Sequence, residues 1–337
     1  MNDSLPPFLY RLEAQYHARV WGSQQLKRLP EDQTPIGEAW VIDEGNRIVG
    51  GPHEGRMLRD LVAELGDTLL GQGVSQRCGG HGAGTRFPLL IKLLASAEWL
   101  SVQVHPDDAQ ARELVGPDEF GKTEAWHILE AQPGARILAG VRPGTSPQRL
   151  AAAIRGGSVM DVAEETAVHS GDTVFIPAGT LHALGPGLLL YEVQQTSDTT
   201  YRVYDWDRPE SDGRALHIEQ SVSVTRADLC SEVLTFPRLG SAEAATVAEC
   251  PYFRLEVVEI AEGEHLAAET HNLSLHCLTV QRGELEVLAG AGPAETERQI
   301  LGPLGSLLVS AHTGSYTLRA KKGDVRVLRS SLPPAEV

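Results

Sequence analysis

The stretch SGDTVFIPAGTLHALG, residues 170–185, constrains the fold more than any other part of this chain. Gly171-Asp172 opens a β-branched run from Thr173 to Ile176. Pro177, Ala178 and Gly179 then turn the chain, and His182 heads the next apolar run. Proline cannot donate to a strand ladder and glycine tolerates the backbone angles of tight corners, so the segment reads as strand, turn, strand. Punctuation of the form G-D-x-(apolar)-P-x-G is what a small antiparallel barrel needs at its corners. A lone histidine in such a place is more often a satisfied core imidazole than a ligand, so His182 acquires meaning only beside other polar groups.

Those groups lie upstream. In SVQVHPDD, residues 101–108, Gln103 and His105 are two apart in an alternating run that Pro106 ends. On a strand, residues i and i+2 share a face, so both side chains can converge on one ion. A polar face inside a barrel is costly unless something occupies it. Glu124, in GKTEAW at 121–126, is within reach of the same ion. Gln103, His105, Glu124 and His182 make a nitrogen and oxygen donor set without sulfur. Such a set suits Zn²⁺ and also fits iron, manganese, cobalt or nickel. Asp107 or Asp108 is placed to orient a ligand from behind.

Elsewhere the chain divides by texture. Met57, Leu58, Leu61, Val62 and Leu65 recur at helical spacing within 56–70, predicting one amphipathic helix. Residues 71–86, GQGVSQRCGGHGAGTR, are glycine-rich and read as a mobile surface loop. Ser146 before Pro147 predicts a capped helix that breaks at Gly156-Gly157, with another short helix near 159–164. Beyond about residue 225 strand-length runs dominate, and Arg282-Gly283 reads as a hairpin turn between two of them. The expected architecture is mainly β: two jelly-roll barrels with a few helices packed on the N-terminal one. The first domain, residues 1–225, carries the metal set. The second, residues 226–337, is expected to be metal-free, because His271, His276 and His312 do not repeat the Q-x-H…E…H arrangement.

Composition narrows the partners. A chain of 337 residues with 42% hydrophobic content can bury one large or two modest cores. A net charge of −16 argues against nucleic acid or an anionic membrane as partner. No run approaches the ~20 apolar residues of a membrane span. The N-terminus lacks the basic start and apolar core of a signal peptide. The four cysteines, Cys78, Cys230, Cys250 and Cys277, are scattered without CxxC spacing and fit a reducing, cytoplasmic setting.

Several motifs in fixed order carry a resemblance: WGS at 21–23, IGEAWVI at 36–42, PLLIKLL at 88–94, SVQVHPDD, GKTEAWHIL, PAGTLHALG, and YEVQQTSDTTYRVYDWDRP at 191–209. Together they resemble the type I phosphomannose isomerases across roughly residues 8 to 220, which implies that both expected jelly rolls are cupin-like. The short span between Glu124 and His182 is similar to the short bacterial form, without the extra helical domain of long forms. The resemblance implies Zn²⁺, a sugar-phosphate substrate, and interconversion of mannose 6-phosphate and fructose 6-phosphate through a cis-enediol. It implies metal ligation by Gln103, His105, Glu124 and His182, and makes Arg202 the active-site arginine. Lys92, Ser101 and Arg208 match substrate-binding positions, with Asp198 beside them. For the proton carrier the candidates are Glu192, Asp198 and Lys122. Glu192 lies on an apparent strand, Leu189–Gln195, expected to run beside the His182 strand. The chain is expected to be a monomer or weak homodimer. Two other readings remain open at the level of sequence. One is a non-haem iron dioxygenase using Asp107 as its carboxylate. The other is a sugar-binding protein that kept the fold without catalysis.

Overall fold

A computed structural model describes residues 9–26, 33–80, 84–209, 214–236, 239–290 and 296–333. It is mainly β, and its contacts divide it into two compact units. One comprises Tyr16–Ala39 and Lys92–Phe236, the other Met1–Gln15, Trp40–Ile91 and Pro237–Val337. The division expected at 225/226 ran once along the chain. The contacts instead group two early segments, with their helices, with the C-terminal strands.

The first unit is a jelly roll of two facing sheets rather than a closed barrel. A five-stranded sheet runs in the order Ala163–Ala167, Arg136–Val141, His182–Leu184, Val102–Val104, Tyr201–Tyr204. A seven-stranded sheet runs Val233–Thr235, Asp172–Ile176, Glu124–Ala131, Leu188–Gln195, Leu89–Ser96, Gln15–Ser23, Ile36–Ile42. Trp126, Ile128, Val174 and Leu190 of the larger sheet meet Ile137, Ala139 and Leu184 of the smaller in one buried core. Fully burying side chains of this size contributes on the order of 1.5–3 kcal/mol each. The strand Leu188–Gln195 pairs with Glu124–Ala131 and not, as expected, with the His182 strand. Alternation fixes which way a side chain points but not which sheet the strand joins.

The predicted helix after Ser146 is present as Pro147–Arg155. Ser146 accepts from Arg149 N, Pro147 fills the first position, and Gly157 at φ +70° ends the run. Leu150, Ala153 and Ile154 of this helix, with Val224 of the helix Ile218–Val224, cover the outer face of the smaller sheet against Val102, Val104 and Leu138. The short helix expected near 159–164 is a single 3₁₀ turn, Val159–Asp161, followed by the strand Ala163–Ala167.

The second unit holds a nine-stranded sheet built around two long strands, His276–Ala289 and Ser315–Ser331. Arg282-Gly283 is therefore not a hairpin turn. Gly283, at φ +79°, marks a register shift within one continuous strand. A Cβ there would meet Asp324 O at 2.5 Å, so glycine is required where the partner strand passes. Leu278, Val280, Leu285 and Val287 from both halves enter one core with Leu318, Val325 and Val327. The helix expected over 56–70 breaks at Gly66 into Leu58–Leu65 and Asp67–Leu70. The described residues of the glycine-rich stretch, expected to be a loop, include a helical turn Val74–Arg77 and paired strands Gly79–Gly80 and Gly84–Thr85.

Candidate metal centre and active-site cavity

Three separated segments meet between the facing sheets of the first unit. His182 begins a strand of the smaller sheet, His105 follows the strand Val102–Val104, and Glu124 begins a strand of the larger sheet. His105 Nε2 lies 3.5 Å from Glu124 Oε2, and His182 Nε2 lies 3.5 Å from Glu124 Oε1. The two imidazoles are 4.7 Å apart between centroids. All three side chains are about 1% exposed or less. Among the described residues, theirs is the group of His, Cys, Asp or Glu whose ligand atoms all lie within 4.8 Å of one another.

The protonation pattern tests whether a cation fits. His105 Nδ1 lies 2.9 Å from Thr199 O and His182 Nδ1 lies 2.8 Å from Thr180 O. A carbonyl only accepts, so each Nδ1 carries the proton and each Nε2 presents a lone pair. Burial, opposing charge, pushes the His182 imidazole down to about 4. Burial, with Lys122 and His182 nearby, pushes His105 well below the usual imidazole range. Both rings are therefore neutral. Their Nε2 atoms and Glu124 Oε2 are buried without hydrogen-bond partners. Lone pairs face carboxylate oxygens with no proton between them, an arrangement that a cation resolves. Separations of 3.5 Å are those of ligands sharing a first-row divalent ion at bonds of roughly 2.0–2.2 Å. The residues present fit a metal, and Thr199 and Thr180 fix the tautomers it needs.

Gln103 stands between two partners. In the sheet register it is opposite His182 on one side and Arg202 on the other. Directly opposed residues share a face, so His182, Gln103 and Arg202 form a row facing the larger sheet. Asp107 does not serve as a ligand-orienting group. Its side chain caps the helix Asp108–Leu114, accepting from Gln110 N at 2.9 Å, which also removes it as the carboxylate of an iron dioxygenase. Asp108 does help to position the site. Its Oδ1 accepts from Gly121 N at 2.8 Å and from Gln195 Nε2 at 3.0 Å, while Gln195 Oε1 accepts from Thr123 N at 2.9 Å. A Cβ on Gly121 would meet Asp108 N at 2.5 Å. The loop carrying Lys122 and Glu124 is thus pinned beside the His105 turn, and Gly179 N donates to His105 O at 2.8 Å from the far side.

Beside the donor set opens a cavity of about 540 Å³, within the ~300–1,000 Å³ range of small-molecule sites. Lys92, Ser101, Gln103, Lys122, Glu192, Asp198 and Arg202 all line it. Lys92 Nζ is 3.2 Å from Glu192 Oε1, and Lys122 Nζ is 3.3 Å from Glu124 Oε2. Trp126 Nε1 donates to Glu192 Oε2 at 2.9 Å. Burial, and then Glu124, pushes the Glu192 carboxyl up, against the pull of Lys92 and Lys122. Burial opposes the charge on Lys92, but Glu192, Glu38, Asp198 and Glu124 outweigh it and hold that ammonium protonated. Arg208 is not on the cavity wall. Its guanidinium is taken by Glu98 Oε2 at 2.9 Å, Trp99 O at 2.9 Å and Asp205 Oδ1 at 3.2 Å. Sequence reasoning missed Arg19, Glu38 and Arg214, which do line the cavity. For Arg19, between Ala18 and Val20-Trp21, and Glu38, in the run Ile36–Ile42, the available signal is a charge among apolar neighbours; Arg214 sits in a polar stretch without one.

A double-sheet jelly roll with a buried His-Glu-His donor set beside a polar cavity defines a cupin-type metalloprotein. The family described as phosphomannose isomerase type I, catalytic domain, matches residues 9–127. This chain belongs to the type I phosphomannose isomerase family. It is 37% identical over 254 residues to the mannose-6-phosphate isomerase of Streptococcus mutans serotype c, covering 72% of this chain and 76% of that one. It is 34% identical over 250 residues to mannose-6-phosphate isomerase ManA of Bacillus subtilis, covering 71% and 75%. Among solved structures, the mannose 6-phosphate isomerase from Bacillus subtilis superposes with a TM-score of 0.75 at 27% identity, covering 96% of this chain and 99% of that one. A variant of phosphomannose isomerase from Salmonella typhimurium shares the fold with a TM-score of 0.73 at 17% identity, covering 96% and 99%.

Proposed function

We propose that this chain is a metal-dependent aldose–ketose isomerase that interconverts mannose 6-phosphate and fructose 6-phosphate through a cis-enediol. One observation carries the reading: three buried ligand atoms without hydrogen-bond partners converge beside a cavity whose wall holds Lys122, Glu192 and Arg202. The reaction moves a proton between C2 and C1 and needs no redox partner. Its difficulty is the negative charge that develops on the enediol oxygens.

His105, Glu124 and His182 would hold the ion, with Gln103 as a fourth ligand in the same row, and Zn²⁺ is an ion that this donor set suits. When bound, a divalent ion supplies Lewis-acid stabilisation of the sugar oxygens. Arg202 adds a fixed positive charge from the neighbouring strand, preorganised because the sheet holds it opposite Gln103. Glu192 acts as the proton carrier. Trp126 and Lys92 hold its carboxylate in place, and burial brings it toward the range in which a base both accepts and returns a proton. Lys122 reaches the sugar oxygens nearest Glu124. Lys92, Ser101 and Asp198 contact the rest of the substrate. Arg208 acts from behind, by sharing Asp205. The unpaired thiols support a cytoplasmic setting, and the chain acts as a monomer or weak homodimer.

A coupled assay for fructose 6-phosphate tests the reading. Purified protein supplied with Zn²⁺ should convert mannose 6-phosphate at a rate far above background. Absence of turnover across the divalent metals that the donor set fits would overturn it.

A further inference from the structure

The cavity's positive charges are not equally neutralised. Lys92 is 3.2 Å from Glu192, Lys122 is 3.3 Å from Glu124, and Arg19 Nε is 2.8 Å from Glu38, so each of these meets a carboxylate. The other cations on the wall are Arg202 and Arg214. Asp205 binds Arg214 through Nε at 2.6 Å and Nη2 at 2.7 Å, and it also takes Arg208 at 3.2 Å. Asp205 thus touches two guanidiniums, of which Arg208 also has Glu98 at 2.9 Å. Arg202 makes a side-chain bond from Nη1 to Ala215 O at 3.1 Å, next in sequence to Arg214, and its Nε is buried without a hydrogen-bond partner among the described residues. Among the described residues Arg214 thus reaches the cavity wall at one end from a seat on Asp205, with Arg202 linked to the neighbouring Ala215.

The sheet register fixes which end that is. Ser101 precedes His105 by four residues on an extended run, roughly 13 Å at ~3.3 Å per residue. Tyr204 is level with Val102 on the antiparallel neighbour, so Asp205 and the arginine seated on it stand near Ser101, away from the metal ligands. In a six-carbon sugar phosphate that reacts at C1 and C2, the phosphate is at the opposite end of the chain. We propose that Arg214 binds this phosphate and sets the enzyme's preference for phosphorylated sugars. The inference rests on the isomerase reading for its substrate. Asp205 occupies Nε and Nη2 of Arg214, and among the described residues Nη1 makes no hydrogen bond and can take a ligand. An arginine already seated in this way loses little freedom when an anion arrives, and a guanidinium matches phosphate oxygens in both charge and shape.

The test compares wild type with Arg214→Gln and Arg214→Lys in two measurements: steady-state kinetics on mannose 6-phosphate, and calorimetric titration with inorganic phosphate. Losing one charged hydrogen-bonding group at an anion should raise KM on the order of 10–100-fold for Arg214→Gln and weaken phosphate binding by a similar factor, with kcat within about 3-fold. Arg214→Lys should fall between the two. If Arg214→Gln does not fold, the lysine variant alone decides the matter by the same measurements. Unchanged KM and unchanged phosphate affinity would overturn the proposal, as would a loss confined to kcat. A wild-type protein that binds phosphate through Arg214 but never turns over mannose 6-phosphate would remove the isomerase reading and leave Arg214 as an anion-binding residue.

Discussion

Lys92 and Glu192 form a buried ion pair, Nζ to Oε1 3.2 Å, on neighbouring strands of the larger sheet. Both side chains are 5% exposed, so neither charge has water to fall back on. Removing one partner strands the other. Lys92→Met should lower stability by up to about 3–5 kcal/mol, and the double variant with Glu192→Gln should recover most of that loss. Activity should be absent in both. Denaturant unfolding of the two single variants and the double variant checks this, and purely additive losses would show that the pair is not coupled.

Arg202 and the metal ligands should separate experimentally. Arg202 is opposite Gln103 in the register but makes none of the contacts that bring His105, Glu124 and His182 together. Arg202→Ala should retain the bound ion at wild-type stoichiometry and lose on the order of 10²–10³-fold in kcat. A fully active Arg202→Ala protein would remove the arginine from the chemistry.

The link from Asp108 through Gln195 to Thr123 has a different signature. Gln195→Ala leaves Thr123 N without its partner and removes one bond to Asp108, at a cost of roughly 1–3 kcal/mol. Because Thr123 lies between Lys122 and Glu124, metal affinity should fall about 10–100-fold. Competition with a chromophoric chelator measures that affinity. A variant that is less stable but binds metal as tightly as wild type would confine Gln195 to folding.

The second unit predicts a pH effect independent of the metal. His276 Nδ1 is 2.8 Å from Tyr316 OH, beside Arg329, which donates to Glu256 at 2.8 Å. Burial, and then Arg329 and His271, pushes the His276 imidazole down to about 3. Below the ordinary value of 6.5 the unfolded chain binds a proton that the folded chain refuses. Stability should therefore fall as pH drops from about 6.5 to about 3, by at most roughly 5 kcal/mol from this residue. His276→Gln should flatten that part of the stability profile. An unchanged acid limb would show that other groups govern it.

Much of this was readable before any coordinates, for local reasons. The helix Pro147–Arg155 follows from Ser146 and Pro147, whose effects do not depend on tertiary context. His105 and Gln103 follow from alternation cut off by proline. Other features depended on information that local pattern does not hold. Alternation marked Leu189–Gln195 as a strand but could not say that it joins the larger sheet. A glycine at positive φ serves a hairpin or a bulge equally well, so Gly283 was misread. Arg208 and Arg214 lie six residues apart in one polar stretch of sequence, and only the placement of Asp205 and Glu98 decides which of them faces the cavity.

The central claim is that His105, Glu124 and His182 hold one divalent ion on which isomerisation depends. Metal content by mass spectrometry, measured with mannose 6-phosphate turnover on the same samples, tests it most directly. Wild type should carry about one ion per chain, lose activity on chelation and regain it with Zn²⁺, while His182→Asn should lose both ion and activity. Full turnover by chelated, metal-free protein, or an undiminished ion in His182→Asn, would contradict the account.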